Sequence, residues 1–142
     1  MPPRQDESCL FANTLIMLRF LELKGRCIIV RLAPDAVVPE WATKGELTSI
    51  TRNADELSIV CDAGNVPKEI DGSLRWVCLK LIGPFPFSQT GVLLSFIAPL
   101  SNNGIPIFAV STYDTDYVLV QEGSVEAALR VLQAAGHALV TI

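Results

Sequence analysis

The sequence predicts an α+β chain of the ferredoxin-like class, built from two tandem units of which the first lacks a full first helix. Three observations carry that expectation. Residues 74–142 read as β-α-β-β-α-β, the split βαβ order. An internal repeat relates the two halves of the chain. Hydrophobic residues make up 50% of the 142 positions and charged ones 18%, which supplies a real core and excludes a wholly disordered chain.

The first half is the less regular. Residues 1–12 are polar and contain proline, and they read as a loose tail. Residues 15–23 are apolar enough for a strand, and Lys24-Gly25 is a turn pair. The run 27–32, Cys-Ile-Ile-Val-Arg-Leu, is rich in β-branched residues and reads as a second strand. Pro34 and Pro39 then interrupt regular structure, leaving at most one helical turn over 41–44 before Gly45. Residues 46–51 and 56–61 read as short strands joined by a hairpin at Arg52-Asn53-Ala54-Asp55. The stretch 62–73 holds Gly64, Asn65, Pro67, Asp71 and Gly72 and reads as a linker.

The second half is clearer. Residues 74–82 form a nearly continuous apolar run, which suits a central strand. Gly83-Pro84-Phe85-Pro86-Phe87 cannot be helical, because each proline lacks an N–H and restricts its predecessor. Over 89–102 the residues Leu93, Phe96, Ile97 and Leu100 recur with helical spacing. Pro99 is expected to kink the last turn of that helix, and Asn103-Gly104 to end it. Residues 105–112 and 117–120 read as strands around a turn at 113–116. Ser124 is the expected N-cap of a second helix with an apolar face of Val125, Ala128, Leu129 and Leu132, closed by Gly136. Residues 138–142 form a last short strand.

The repeat aligns Thr51 with Ser111, Glu56 with Asp116, and Leu57, Ile59 and Val60 with Tyr117, Leu119 and Val120, all at an offset of 60 residues. The leading strands, 27–32 and 77–82, are offset by only 50. The difference is the helix at 89–102, which the loop from Pro34 to Gly45 replaces in the first unit. The expected domains are a degenerate unit over 13–72 and a complete one over 73–142.

Lys and Arg total 11 against 15 Asp and Glu, for a net charge of −4. That balance disfavours nucleic acid, whose binding depends on cations that neutralise phosphates, and a polybasic membrane patch. No run reaches the roughly 18 apolar residues of a membrane span, and the N-terminus has no signal-peptide pattern. Of the four cysteines, Cys27, Cys61 and Cys78 lie in apolar runs and read as reduced core thiols, which points to a cytoplasmic protein. No C-x-x-C occurs and His137 is the single histidine, so no metal and no cofactor is expected. A single His without a nucleophile motif, and the absence of G-x-S-x-G or a P-loop, argue against an enzyme. His137 reads as a loop or strand-edge residue, and Trp41 and Trp76 as packing anchors.

Thr90-Gly91-Val92-Leu93-Leu94, Ala98-Pro99-Leu100 and Asn103-Gly104-Ile105-Pro106-Ile107 together resemble the ACT domain, a small regulatory module that often binds amino acids. Gly91 stands where that family has the glycine opening its first helix, and Gly104-Ile105 where its second strand begins. The segment 111–120, Ser-Thr-Tyr-Asp-Thr-Asp-Tyr-Val-Leu-Val, is similar to one repeated in the eukaryotic cytosolic arginine sensors, tandem arrays of such modules of which this chain resembles half. The resemblance implies a non-catalytic protein that reversibly binds an amino acid or similar small metabolite where two units meet. It implies a homodimer, and a separate protein partner carrying any regulatory output. Carried over by position, the binding loop comprises Pro86, Phe87, Ser88, Gln89, Thr90, Gly91 and Val92, and the facing strand-turn Thr112, Tyr113 and Asp116. Ile105, Pro106 and Ile107 correspond to an opposing wall.

The chemistry of that loop is consistent. A helix N-terminus presents unpaired N–H groups and partial positive charge, which suit a carboxylate. Gly91 lets the backbone approach a ligand, Asp116 suits an ammonium or guanidinium group, and Tyr113 offers a stacking face. The alternative is a ligand-free interaction or oligomerisation module in which Gly91 and Asp116 are structural and an exposed sheet edge recruits a partner.

Overall fold

The computed structural model describes residues 16–70, 74–86 and 88–141. The expected tail at 1–12, Leu15, the linker's end at 71–73, Phe87 and Ile142 lie outside the described residues. The elements in order are β1 (Arg19–Glu22), β2 (Cys27–Leu32), β3 (Ser49–Arg52), β4 (Leu57–Asp62), β5 (Trp76–Leu81), α1 (Val92–Asn102), β6 (Ile107–Ser111), β7 (Asp116–Gln121), α2 (Val125–Ala134) and β8 (Ala138–Leu139).

The eight strands form one sheet, and β5 is its hub. Along one edge β5 pairs antiparallel with β7, from Trp76↔Gln121 to Lys80↔Tyr117, and β6 continues beyond β7. The other edge of β5 is shared. β1 takes its C-terminal half, Phe20↔Leu81 to Glu22↔Leu79, while β2 meets only its start, at Cys27↔Trp76. From β2 the sheet extends through β4 to β3, and β8 lies parallel on the far side of β1. The second unit is thus ferredoxin-like with one insertion, since β1 separates its first strand from its last.

Sequence order groups residues 15–23 with the first unit, yet the ladders of β1 are with β5 and β8. Packing explains this. Leu18 and Phe20 alternate into the core beneath the two helices, where the Phe20 and Phe96 rings meet edge to face at 5.1 Å. That core also holds Val77, Leu79, Leu81, Val118, Val120 and Leu132.

In the first unit β2 and β3 flank β4 just as β5 and β6 flank β7, the pairing the repeat expects. In place of a first helix there is a single 3₁₀ turn, Glu40–Thr43, which buries Ala42 against Ile28, Ile59 and Cys61. Trp41 is half-buried at the rim of this second core. The Arg52 guanidinium clasps the proline loop, donating to the carbonyls of Pro34 and Ala36. In the neighbouring hairpin turn Asn53 Oδ1 accepts from the N–H groups of Asp55 (2.8 Å) and Glu56 (2.9 Å). Asn53→Ala removes both bonds at an exposed turn and is expected to cost about 1 kcal/mol. Urea denaturation should show this as a lower midpoint at an unchanged slope.

Helix α1 starts at Val92 rather than near 89, because Gly91 is left-handed, with φ +82°. At its far end the Ile105 N–H reaches the Leu100 carbonyl and the Gly104 N–H that of Ser101, both at 3.0 Å. This is a Schellman cap, with Gly104 in the left-handed position at φ +71°. α2 closes the same way through Gly136 and His137, which reach the carbonyls of Gln133 and Leu132. Ser124 stands at the N-cap of α2 but makes no side-chain cap bond, and a 3₁₀ turn, Glu122–Ser124, leads into the helix instead.

Pro99 lies inside α1 and has no N–H to give the Ser95 carbonyl one turn earlier. His137 supplies the missing donor. Its Nε2 is 2.8 Å from the Ser95 carbonyl, and its Nδ1 accepts from the Leu18 N–H at 3.0 Å. Because an amide N–H can only donate, the ring carries its proton on Nε2. The histidine expected at a loop or strand edge does sit in the α2–β8 connection, but buried, with 4% of its surface exposed.

Candidate functional site

Three segments meet at one end of the second unit: the strap 83–86, the start of α1 and the β6–β7 turn. Between them lies an open cleft of about 450 Å3. Each segment is held locally. The strap carries a cis Gly83–Pro84 bond, and its Phe85 N–H donates to the Asp114 carbonyl at 3.0 Å. A Cβ on Gly83 would come within 2.8 Å of that same carbonyl oxygen, so the close approach requires glycine. The turn closes through Thr112 N–H to the Thr115 carbonyl (2.8 Å), and the buried Thr115 hydroxyl donates to the Leu81 carbonyl at 2.7 Å. Ser111 Oγ donates to Asp116 Oδ1 across the base of the turn.

Gly91 opens the helix on the opposite wall. A Cβ there would meet nothing within 4 Å, so the residue leaves the helix end uncovered. The first intrahelical bond runs from the Ser95 N–H to the Gly91 carbonyl at 2.9 Å. The N–H groups of Val92, Leu93 and Leu94 therefore have no carbonyl within the helix. No side chain caps this end, and its first turn holds no acidic residue. The cleft accordingly has an electropositive side at the helix start and carboxylates on the turn, Asp114 and Asp116. Ser95 ties the helix start to the rest of the core. Its hydroxyl donates to the Gly91 carbonyl at 2.7 Å and accepts from the Ile16 N–H at 3.0 Å.

Of the residues expected at a ligand, Pro86, Gln89, Gly91, Val92, Thr112, Tyr113 and Asp116 line this cleft together. Thr90 is exposed and is not part of the wall. Ile105 and Ile107 are not brought to it. Ile105 is buried in the core beyond the C-terminus of α1, and Ile107 faces Val120 at the opposite end of β6 from the Ser111↔Asp116 pair. Phe85, Leu93, Leu94, Ser111, Asp114 and Thr115 also line the wall, beyond the residues the resemblance implies. Asp114 was visible as the second carboxylate of Thr-Tyr-Asp-Thr-Asp. A hollow of about 480 Å3 beside β1 and β8 is slightly larger, but Leu21, Leu23, Leu139 and Val140 line it with Glu22, Lys24 and Glu46, and no residue of a helix start does.

Comparisons with known proteins agree with this anatomy. Residues 73–134 match the profile of the ACT domain, and residues 25–69 match that of an N-terminal domain. Residues 73–134 belong to the ACT-domain family. It is similar to the crystal structure of Atu0741 from Agobacterium tumefaciens, at 42% identity over 88% of this chain and 93% of that one, with a TM-score of 0.80. The human protein CASTOR3P is 28% identical over an alignment that covers 83% of this chain and 69% of that protein. VC0802 from Vibrio cholerae shares the fold, with a TM-score of 0.73 at 16% identity over 89% of this chain and 96% of that one. The aspartokinase alpha and beta subunits share it at 0.58 and 20% over 84% and 98%.

Proposed function

We propose that this protein is a non-catalytic regulatory protein that reversibly binds a free α-amino acid in the cleft at the start of α1. The observation that carries the reading is the polarity of the cleft. The unpaired N–H groups of α1 suit an α-carboxylate, and Asp114 and Asp116 suit an α-ammonium group on the facing wall. Phe85, Leu93 and Leu94 offer apolar contact to a side chain. Membership of the ACT family and likeness to CASTOR3P support the same class of role.

Leu94 and Tyr113 stand at the cleft with 57% and 79% of their surface exposed. Apolar groups so placed favour cover by a second unit, which a homodimer supplies. Ligand occupancy stabilises whichever state binds it, and the consequence passes to a protein partner through the altered interface. The free thiols of Cys27, Cys61 and Cys78 fit a reducing, cytoplasmic setting, and among the described residues no helix is long and apolar enough to cross a membrane. The negative net charge of −4 fits a small-molecule ligand better than a nucleic acid.

The test is a thermal-stability screen of the purified chain against the twenty free amino acids. A ligand present at about 100 times its Kd adds about 2.7 kcal/mol, a rise of several degrees for a domain of this size. One selective, saturable shift is expected, and silence across the panel contradicts the reading. Once that ligand is in hand, Asp116→Asn is expected to weaken its binding about tenfold, the scale of one lost charge-assisted bond. Calorimetric titration checks this, and unchanged affinity removes Asp116 from the role.

A further inference from the structure

The two units meet along one edge of β5, where the Leu23 N–H donates to the Cys78 carbonyl at 2.9 Å and Arg26 pairs with Glu122 at 2.7 Å. β2 of the first pairs with β5 of the second at one position only, Cys27↔Trp76. Side chains two residues apart on a strand share a face, so Cys78 stands diagonally across from Cys27. Both thiols are free and buried in one apolar cluster, with Leu23, Leu47, Val60 and Leu119. Cys27 and Cys78 also line one small hollow of about 10 Å3 together with Lys24, Arg26, Glu46 and Asp62. Cys61 pairs with Ile28 and points into the other core, beneath the 3₁₀ turn.

We propose that Cys27 and Cys78 are a reversible redox pair, closing to a disulfide that staples the two units across their seam when a low-molecular-weight disulfide is present. Cys27 loses its proton to solvent and its thiolate attacks one sulfur of oxidised glutathione, releasing one glutathione thiolate. Cys78 then loses its proton, attacks Cys27 Sγ and expels the second glutathione. Two protein thiols are oxidised, one small disulfide is reduced to two thiols, and the two protons pass to the glutathione thiolates.

The order of attack follows from burial, since Cys27 is 9% exposed and Cys78 1%. Hydrogen bonding between the two thiols lowers Cys27 and raises Cys78; burial adds to the rise at Cys78, while burial, Asp62 and Glu46 oppose the lowering at Cys27. Burial pushes Cys61 up to about 11, so it stays protonated. Diagonal strand neighbours have Cα atoms about 7–8 Å apart. A disulfide needs about 4.4–6.8 Å, so closure requires a shift of roughly 1 Å. The β2 ladder on β5 stops at that one pair, which leaves Cys27 at a strand end, while the Leu23 N–H holds the Cys78 carbonyl at 2.9 Å, so the shift falls on Cys27.

The experiment treats the folded full-length chain with oxidised glutathione and reads free thiols, intact mass and disulfide-linked peptides. The expected product has lost two thiols and two hydrogen atoms, links the Cys27 peptide to the Cys78 peptide, and reverts with dithiothreitol. Its melting temperature should rise by several degrees, because the cross-link closes the long loop between the two positions. Cys78→Ser is expected to stop at a stable glutathione adduct on Cys27. A C9S/C61A double variant, in which only the pair remains, should behave as the parent, and where it fails to fold, peptide mapping of the parent decides alone. The proposal is overturned if both thiols stay titratable in the folded chain, if the parent ends as a glutathione adduct, or if the mapped bond joins another pair.

Discussion

Replacing His137 with phenylalanine is expected to destabilise the fold by about 2–5 kcal/mol, and Pro99→Ala to recover part of that loss. The imidazole satisfies two buried backbone groups at once, the Leu18 N–H and the Ser95 carbonyl. Phenylalanine keeps a ring beside Phe96, whose centroid is 5.3 Å from that of His137, but it makes neither bond. Each orphaned buried group costs about 1–3 kcal/mol. The carbonyl needs His137 because Pro99 has no N–H, so an alanine at 99 restores the helical donor. In a double-mutant cycle measured by chemical denaturation, the His137→Phe cost should be smaller by at least about 1 kcal/mol in the Pro99→Ala background. Strict additivity would show that the two residues are not coupled through Ser95.

The second large effect is expected at Gly91, where fold and site can be separated. The residue holds φ +82°, which a β-branched side chain adopts only under strain. Gly91→Val is therefore expected to lose about 1–3 kcal/mol of stability and also the bound amino acid. Asparagine tolerates the left-handed conformation far better, so Gly91→Asn should leave the melting temperature nearly unchanged. Its side chain nevertheless projects beside the helix start, where nothing lies within 4 Å of the Cβ position. Amino-acid affinity should fall at least tenfold, about 1.4 kcal/mol, in calorimetric titration. An asparagine variant that binds as well as the parent would place the ligand elsewhere.

How far the sequence reveals this molecule depends on the range of the forces involved. The run at β5, the helical spacing of Leu93, Phe96 and Leu100, and the glycines at 104 and 136 are local signals, and the elements stand within a few residues of where they point. The placement of β1 is not local. Leu18 and Phe20 suit any apolar face, and only the assembled core beneath α1 and α2 selects the edge of β5. The partnership of Pro99 with His137 is likewise invisible along the chain, since each looks like an isolated irregularity until the fold sets them side by side.

The candidate site divides in the same way. Its loop at Gly91 and its turn at Thr112–Asp116 are carried over by position from the family resemblance, and the structure brings the two to one cleft. Leu93 is hidden among residues that the helical period assigns to packing, and Phe85 lines the cleft while also resting on the core. The resemblance puts Ile105 and Ile107 on an opposing wall, whereas within the unit the Schellman cap turns the chain at Gly104 and carries both to the far end of α1 and β6.

The central claim is that an amino acid sits between the start of α1 and the β6–β7 turn. Titration of the ¹⁵N-labelled protein with the amino acid selected by the stability screen tests it most directly. The expected result is saturable amide shifts concentrated at Val92, Leu93 and Leu94 and across residues 112–116, with the first-turn amides moving most as they acquire a carboxylate acceptor. Saturable shifts that leave both segments untouched and cluster elsewhere, as around Glu22, Lys24 and Leu139, would contradict it.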